Sequence, residues 1–132
     1  MSVFSEAEIE YLQSQRIGRV ATVNSDCEPH VVPLRFKYNP EEDTIDLVGS
    51  NLGTSKKYRD AQATGRIAFV VDDISDGKPR GIEIRGRAEV HPTGGETLMR
   101  NVGPAFIRLI PTRIATWGID SDAYHPVSRS VR

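Results

Sequence analysis

The chain has 132 residues, one cysteine and a formal net charge of −1 at pH 7, which suits a single globular domain and argues against a nucleic-acid partner. No apolar run approaches the roughly 20 residues that cross a bilayer, and the polar, acidic first ten residues do not resemble a secretory signal. Cys27 alone excludes an intramolecular disulfide and a cysteine-rich zinc site, so we expect a cytoplasmic protein without a membrane partner.

The first predicted element is a short helix over residues 5–14. Ser5 and Glu8 have the spacing of a capping box, in which each side chain accepts a hydrogen bond from the other residue's backbone N–H. Phe4 and Ile9 occupy the positions of a hydrophobic staple around that box. The chain therefore signals a helix start within its first ten residues.

Two strands follow, over residues 16–24 and 30–38, with a turn at Ser25-Asp26 between them. The second strand alternates, so one face carries His30, Val32, Leu34, Phe36 and Tyr38, and the other carries Val31, Pro33, Arg35 and Lys37. Pro33 has no N–H to donate, which places this strand at a sheet edge or at a bulge.

The remaining elements complete a mainly β fold. We predict a strand at 44–49, a helix at 55–63 closed by Gly65, a strand at 66–72, a polar loop at 73–79, a strand at 81–91, a helix within 93–106 and a sixth strand at 113–120. The domain is expected to span residues 1–120, with a loose tail over 121–132. Six short strands with two or three small helices indicate a six-stranded antiparallel barrel with helical insertions.

The segment "SNLGTSKKYRD" (residues 50–60) places two lysines where a helix begins. A helix N-terminus carries partial positive charge, so lysines there are unfavourable unless an anion lies between them. A phosphate could be held by the free N–H groups, by the hydroxyls of Thr54 and Ser55, and by Lys56 and Lys57. The alternative is that both lysines point into water at little energetic cost.

Two other features have a functional and a structural interpretation. Arg35 and Lys37 could form a groove wall under a flat polar ring, or they could lie on a solvated outer face. Trp117, the single tryptophan, could contact a cofactor, although a lone tryptophan in a strand more often belongs to the core.

Catalytic motifs are absent from the sequence. It contains no GxSxG, HExxH or P-loop pattern, and its three histidines lack metal-ligand spacing, so we expect no metal site and assign no catalytic residue. If the protein is an enzyme, a bound cofactor must carry the chemistry.

The order of these segments resembles the pyridoxamine 5'-phosphate oxidase-like split β-barrel superfamily. The likeness rests on "RIGRVATVN", "PHVVPLRF", the loop "SNLGTSKKYR", "GRIAFVV", "GIEIRGRAEV" and "PTRIATWGI", and it extends from about Phe4 to Ile119. More narrowly, the chain is similar to the small actinobacterial branch that depends on the deazaflavin coenzyme F420. The C-terminal arginine-and-histidine segment of true pyridoxamine phosphate oxidases has no counterpart here, so vitamin B6 oxidation is not expected.

The resemblance implies a homodimer with two cofactor sites in grooves between the subunits. It assigns contact with the cofactor ring to Val32, Pro33, Leu34 and Arg35, and phosphate binding to Ser50, Asn51, Thr54, Ser55, Lys56 and Lys57. It also implies that Trp117 of one subunit reaches the other subunit's site. The implied activity is hydride transfer from reduced F420 to a small organic acceptor, with Tyr38, Tyr58 or a water as proton donor. The alternatives are an FMN-dependent reductase or oxidase, and a non-catalytic protein that binds a flavin, F420 or a tetrapyrrole.

Overall fold

The computed structural model describes residues 1–132. Its elements, in chain order, are α1 (Glu6–Ser14), β1 (Ile17–Val23), β2 (Pro29–Asn39), β3 (Thr44–Val48), a 3₁₀ turn (Leu52–Thr54), α2 (Lys56–Thr64), β4 (Arg66–Ser75), β5 (Lys78–His91), α3 (Gly95–Leu98), β6 (Phe106–Trp117) and β7 (Val127–Ser130). The capping box at Ser5 and Glu8 and the left-handed glycine at Gly65 are both present, as the sequence predicted.

The strands form one antiparallel sheet in the order β3-β2-β1-β4-β5-β6-β7, and β3 pairs with β6 as well. This second pairing closes β1 to β6 into a six-stranded barrel and leaves β7 as an appended strand on β6. The predicted split β-barrel is therefore confirmed, with a seventh strand that the sequence did not indicate.

Alternation along the strands fills the barrel interior. On β5, Ile82 and Ile84 are fully buried while Arg85 and Arg87 face solvent. On β2, Phe36 and Tyr38 belong to the core, and Val32 and Leu34 pack against it from the same face. The face assignments made from the period-two pattern are confirmed on both strands.

Strand β2 is paired differently along its length. Residues from Pro29 to Arg35 pair with β1, but pairing with β3 covers only Arg35 to Asn39. The half from Pro29 to Leu34 is therefore a sheet edge, with one row of backbone N–H and C=O groups free of a neighbouring strand. Pro33 lies in this half, as its missing N–H predicted.

The loop predicted at 73–79 is wrong. Strands β4 and β5 continue to Ser75 and Lys78, and only Asp76 and Gly77 turn the chain, both at positive φ. An Asp-Gly pair of this conformation is the preferred two-residue hairpin turn, because its twist matches that of the flanking strands.

Other element boundaries also differ from the prediction. The helix expected within 93–106 is only the single turn Gly95–Leu98, and the sixth strand begins at Phe106 instead of 113 and ends at Trp117 instead of 120. The tail is not loose, because Val127–Ser130 pairs with β6.

An ion pair fixes β7 to the start of the chain. Both oxygens of the Glu8 carboxylate accept from the Arg129 guanidinium, at 2.7 and 2.9 Å, and the same guanidinium donates to the carbonyl of Val3. Glu8 is buried, so this charge-assisted contact satisfies a carboxylate that water does not reach.

None of the helices has the length and apolar character needed to span a bilayer.

Candidate functional site

The Ser50–Lys57 loop leaves β3 and starts α2 through the 3₁₀ turn. Ser55 caps α2: its hydroxyl accepts from the N–H of Tyr58 at 3.3 Å and donates to the carbonyl of Leu52 at 2.6 Å. Thr54 donates to the carbonyl of Asn51 at 3.2 Å, and the Arg59 guanidinium donates to the carbonyl of Thr54 at 2.9 Å. These contacts fix the loop conformation and use the N–H of Tyr58, so that in the first helical turn the N–H groups of Lys56 and Lys57 have no partner within the helix.

Lys56 has an anionic partner within the chain. Its Nζ lies 3.1 and 3.2 Å from the two oxygens of Asp60, one turn further along α2, and Asp60 also accepts from the Thr22 hydroxyl at 3.0 Å. Burial raises the pKa of Asp60, but the hydrogen bonds from Lys56 and Thr22 outweigh that effect, so its pKa lies below the ordinary value. The charge of Lys56 therefore stabilises a buried carboxylate.

Lys57 has no such partner. Burial alone lowers the pKa of its ammonium group, and no carboxylate or hydrogen bond offsets the effect. Of the two neighbouring lysines, Lys57 is thus a partly desolvated cation whose charge is uncompensated by the chain. An anion brought beside it would recover that loss.

A cavity of about 360 Å³ adjoins this lysine. We call it the Lys57 cavity; its walls are Leu34, Gly49, Ser50, Asn51, Leu52, Thr54, Ser55 and Lys57. Six of the predicted site residues thus meet in one place: Leu34, Ser50, Asn51, Thr54, Ser55 and Lys57. The combination of an ammonium group, small polar side chains and helix N–H groups can bind a phosphate.

The other predicted residues of β2 lie along the free edge next to this cavity. Val32 shares the inward face of Leu34 and packs against the core, whereas Pro33 and Arg35 point outward and are exposed. The edge itself supplies backbone N–H and C=O groups with which a flat heteroaromatic ring can form hydrogen bonds.

Arg35 has a contact that the sequence did not predict. Its guanidinium donates to the carbonyl of Asn101 at 3.3 Å, and Lys37 donates to the carbonyl of Leu98 at 3.2 Å. The N–H of Gly103 then donates to the carbonyl of Gly49 at 2.9 Å, directly before the Ser50–Lys57 loop. The segment after α3 therefore braces the loop, and no local sequence signal identifies a contact between residues more than 50 positions apart.

Trp117 does not line the Lys57 cavity of its own chain. It ends β6 and packs over Gly81, where a Cβ would lie 2.5 Å from the indole ring. The two tyrosines considered as proton donors are also held elsewhere: Tyr38 donates to Asp43 at 2.9 Å, and Tyr58 is buried.

A family model and a characterised relative both match most of the chain. A family model described as "Pyridoxamine 5'-phosphate oxidase" matches residues 4–117. The chain is 42% identical over 122 residues to a 5a,11a-dehydrotetracycline/5a,11a-dehydrooxytetracycline reductase of Streptomyces rimosus, covering 90% of this chain and 86% of that one.

Solved structures with the same fold are more distant in sequence. A FAD binding protein from Mycobacterium smegmatis has a TM-score of 0.66 and 18% identity, covering 99% of this chain and 100% of that one. A heme binding protein from the same organism has a TM-score of 0.71 and 14% identity, covering 98% of this chain and 60% of that one. Their likeness concerns the fold.

Proposed function

The chain belongs to the pyridoxamine 5'-phosphate oxidase family, and from that membership we propose that it is an oxidoreductase that binds the deazaflavin F420 and reduces an organic acceptor. The observation that carries the proposal is the position of Lys57, a partly buried cation without a partner in the chain, between a helix N-terminus and the free edge of β2. This combination offers one site for a phosphate and an adjacent one for a flat ring.

The chain's own residues divide the work of binding. Lys57 and the N–H groups at the start of α2 would hold the phosphate, and Ser50 and Asn51 lie within reach on the cavity wall. The hydroxyl groups of Thr54 and Ser55 donate their hydrogens to carbonyl groups of the loop. They therefore shape the loop and have no hydrogen left to donate to a phosphate. Lys56 supports the site indirectly by neutralising Asp60.

When bound, reduced F420 would supply a hydride, and an acceptor that takes a hydride also takes one proton. Neither Tyr38 nor Tyr58 presents its hydroxyl to the cavity, so we assign the proton to solvent water. The protein's part is then to fix the ring at the edge of β2 and to leave its reactive face open to the acceptor.

The name of the Streptomyces rimosus relative suggests the class of acceptor. Because that relative is 42% identical over nine tenths of the chain, we propose that the acceptor is a conjugated, unsaturated polycyclic compound of the dehydrotetracycline kind. Reduction would add the hydride to one carbon of a conjugated double bond and the proton to the other.

We further propose that the active species is a homodimer. The edge of β2 and the Lys57 cavity are open, so a second chain could complete the groove, with Trp117 as its contribution. Sedimentation velocity at micromolar concentration tests this point, because a monomer at that concentration contradicts a site shared by two subunits.

Titration of the purified protein with F420 and with FMN tests the cofactor. The proposal expects micromolar F420 binding, weak FMN binding, and oxidation of reduced F420 when a dehydrotetracycline-type acceptor is added. Strong FMN binding with no F420 binding contradicts it. Lys57→Gln serves as the matched negative control, since it removes the charge but keeps much of the side-chain length.

FMN is the second candidate for the cofactor. The family is described as an oxidase, and a protein of the same fold binds FAD, so both favour a flavin. A protein that is yellow as purified and releases FMN on heating would support it.

A third candidate, a carrier that binds F420, a flavin or a tetrapyrrole without catalysis, has a heme-binding neighbour in its favour. Tight binding without turnover across enones, quinones and nitro compounds would support that role.

A further inference from the structure

A second cavity lies on the outer surface of the barrel and shares no lining residue with the Lys57 cavity. Its volume is about 430 Å³, and it opens at the β-bulge where the register between β5 and β6 shifts at Arg85 and Gly86. Arg66, Arg85 and Arg113 line it, between neutral residues such as Ala21 and Ala68. We call it the arginine cleft.

The arginine cleft concentrates positive charge. Arg85 stands directly opposite Arg113 across the β5–β6 pairing, and Arg66 stands opposite Arg87 across β4–β5. Like charges at directly opposed positions destabilise a sheet. The sheet therefore carries two unfavourable cross-strand pairs side by side.

The chain provides little negative charge to offset them. No acidic residue lines the cleft, but Glu83 lies 3.5 Å from Nε of Arg85, and Asp60 accepts from the hydroxyl of the cleft residue Thr22 at 3.0 Å. Elsewhere on the outer face the chain does neutralise an arginine, since Arg19 pairs with Asp72 at 2.7 Å. In the cleft, by contrast, Arg66 and Arg113 have no carboxylate partner, and only Arg85 has one.

One guanidinium is held in place by neutral groups. The Nη atoms of Arg113 donate to the hydroxyls of Ser130 and Ser128, at 2.9 and 2.8 Å, on strand β7. These bonds restrict the side chain without cancelling its charge, so less side-chain entropy is lost when it binds an anion.

We propose that the arginine cleft is a second anion-binding site, specific for a diphosphate group. A single phosphate carries roughly −1.5 to −2 at neutral pH, so two linked phosphates come close to balancing the three arginines of the cleft. Guanidinium groups bind phosphate oxygens in a bidentate manner, and three adjacent strands each contribute one arginine to the lining of the cleft. The diphosphate can be the inorganic ion or part of a nucleotide. This site does not depend on the function proposed for the Lys57 cavity.

Isothermal titration with inorganic diphosphate at low ionic strength tests the proposal on the Lys57→Gln variant, in which the Lys57 cavity has lost its cation. We expect saturable binding at one site per chain, weakened tenfold or more when Arg85→Gln or Arg66→Gln is added. Adding Arg100→Gln, which changes an exposed arginine outside the cleft, should leave the binding unchanged. No binding by Lys57→Gln, or undiminished binding after either cleft substitution, overturns the proposal.

Thermal unfolding provides an independent measurement. Without ligand, Arg66→Gln should melt at or above the wild-type temperature, because it removes a cross-strand repulsion and breaks no ion pair. Diphosphate should raise the melting temperature of Lys57→Gln, and adding Arg66→Gln or Arg85→Gln should abolish that rise, while potassium chloride at equal ionic strength should not reproduce it. If chloride does reproduce it, the interaction is general screening and the proposal fails.

Comparing the affinities of two ligands identifies the source of the diphosphate group. A nucleoside diphosphate that binds more tightly than the inorganic ion identifies a nucleotide as the ligand, and equal affinity shows that the cleft recognises the diphosphate alone.

Discussion

The seam where β3 meets β6 and the loop that leaves β3 use buried charge in opposite ways. At the seam, Asp46 is fully buried and accepts from Asn39 at 2.8 Å, from Thr44 at 3.0 Å and from Nε of Arg108 at 3.0 Å. A few residues later, Lys57 is partly buried and has no partner in the chain.

The difference separates a structural charge from a binding one. A buried ion whose hydrogen bonds are all satisfied by the same chain adds nothing for a ligand to gain, but removing its partner is costly. A partly buried ion without a partner weakens the free protein slightly and strengthens the complex with an anion. Substitutions at the two places should therefore affect different quantities.

The largest effect is expected at the seam. Asp46→Ala leaves the guanidinium of Arg108 and the amide of Asn39 without their buried acceptor, and breaking such a pair costs about 3–5 kcal/mol of unfolding free energy. Urea denaturation measures it. Asp72→Ala, which breaks the exposed pair with Arg19, is the control and should cost about 0.2–1 kcal/mol. Equal losses from both variants would refute the assignment of the seam as a buried network.

In the loop, the effect should appear in binding. Lys57→Ala should weaken F420 binding by about 1.5–3 kcal/mol, the range for a hydrogen bond to a charged group, with little change in unfolding free energy. Lys56→Ala should do the reverse, since Asp60 would lose its ion pair and retain only the bond from Thr22. Fluorescence titration and urea denaturation of both variants decide the matter, and unchanged affinity in Lys57→Ala removes that residue from the site.

A smaller effect on stability is expected where β7 joins the barrel. Arg129→Ala leaves the buried carboxylate of Glu8 without its ion pair, at a cost of about 1–3 kcal/mol. Hydrogen exchange of the amides in Val127–Ser130 should accelerate more than that of β5. Unchanged protection in β7 would show that backbone pairing alone holds the strand.

The smallest effect is a dependence of binding on pH. Because burial lowers the pKa of Lys57 below its ordinary 10.5, its ammonium group loses its proton at a lower pH than an exposed lysine does. F420 affinity should accordingly fall as pH rises through that lowered pKa, and the fall should be absent from Lys57→Arg, whose side chain stays charged. Identical pH profiles for the wild type and Lys57→Arg would contradict this role.

Local patterns were sufficient for the strands whose two faces differ. The alternation placed residues 30–38 of β2 and 82–91 of β5 on the correct face, because a half-buried strand must put apolar side chains inward at every second position. The cap of α1 and the end of α2 were also predictable, since they depend on side-chain contacts within a few residues.

Strand β6 begins at Phe106 instead of the predicted residue 113, and the added part contains Pro111. Pro111 would interrupt a strand that is paired on both sides, but it lies between the segment that pairs with β3 (Ile107–Leu109) and the segment that pairs with β7 (Arg113–Thr116). Its missing N–H therefore breaks no ladder on that side. Only the closed barrel shows that this position is free of a second partner.

For the candidate site, the sequence identified the loop but not the division of labour between its lysines. The four-residue spacing of Lys56 and Asp60 is that of a helical ion pair, so the sequence does carry a signal for this contact. The third member of that group, Thr22, is 38 positions away, and the contact exists only because β1 lies beside α2.

The sequence by itself therefore determined the barrel class, the inward and outward faces of its strands and the position of a basic loop at a helix start, because each depends on neighbours within a few residues. The tertiary structure decided which half of β2 is a free edge, that β7 joins β6, that Asp60 neutralises Lys56 and leaves Lys57 uncompensated, and that arginines from three strands share one cleft. These features depend on closure of β3 onto β6 and on contacts between distant segments, whose geometry is set by the packing of the whole chain.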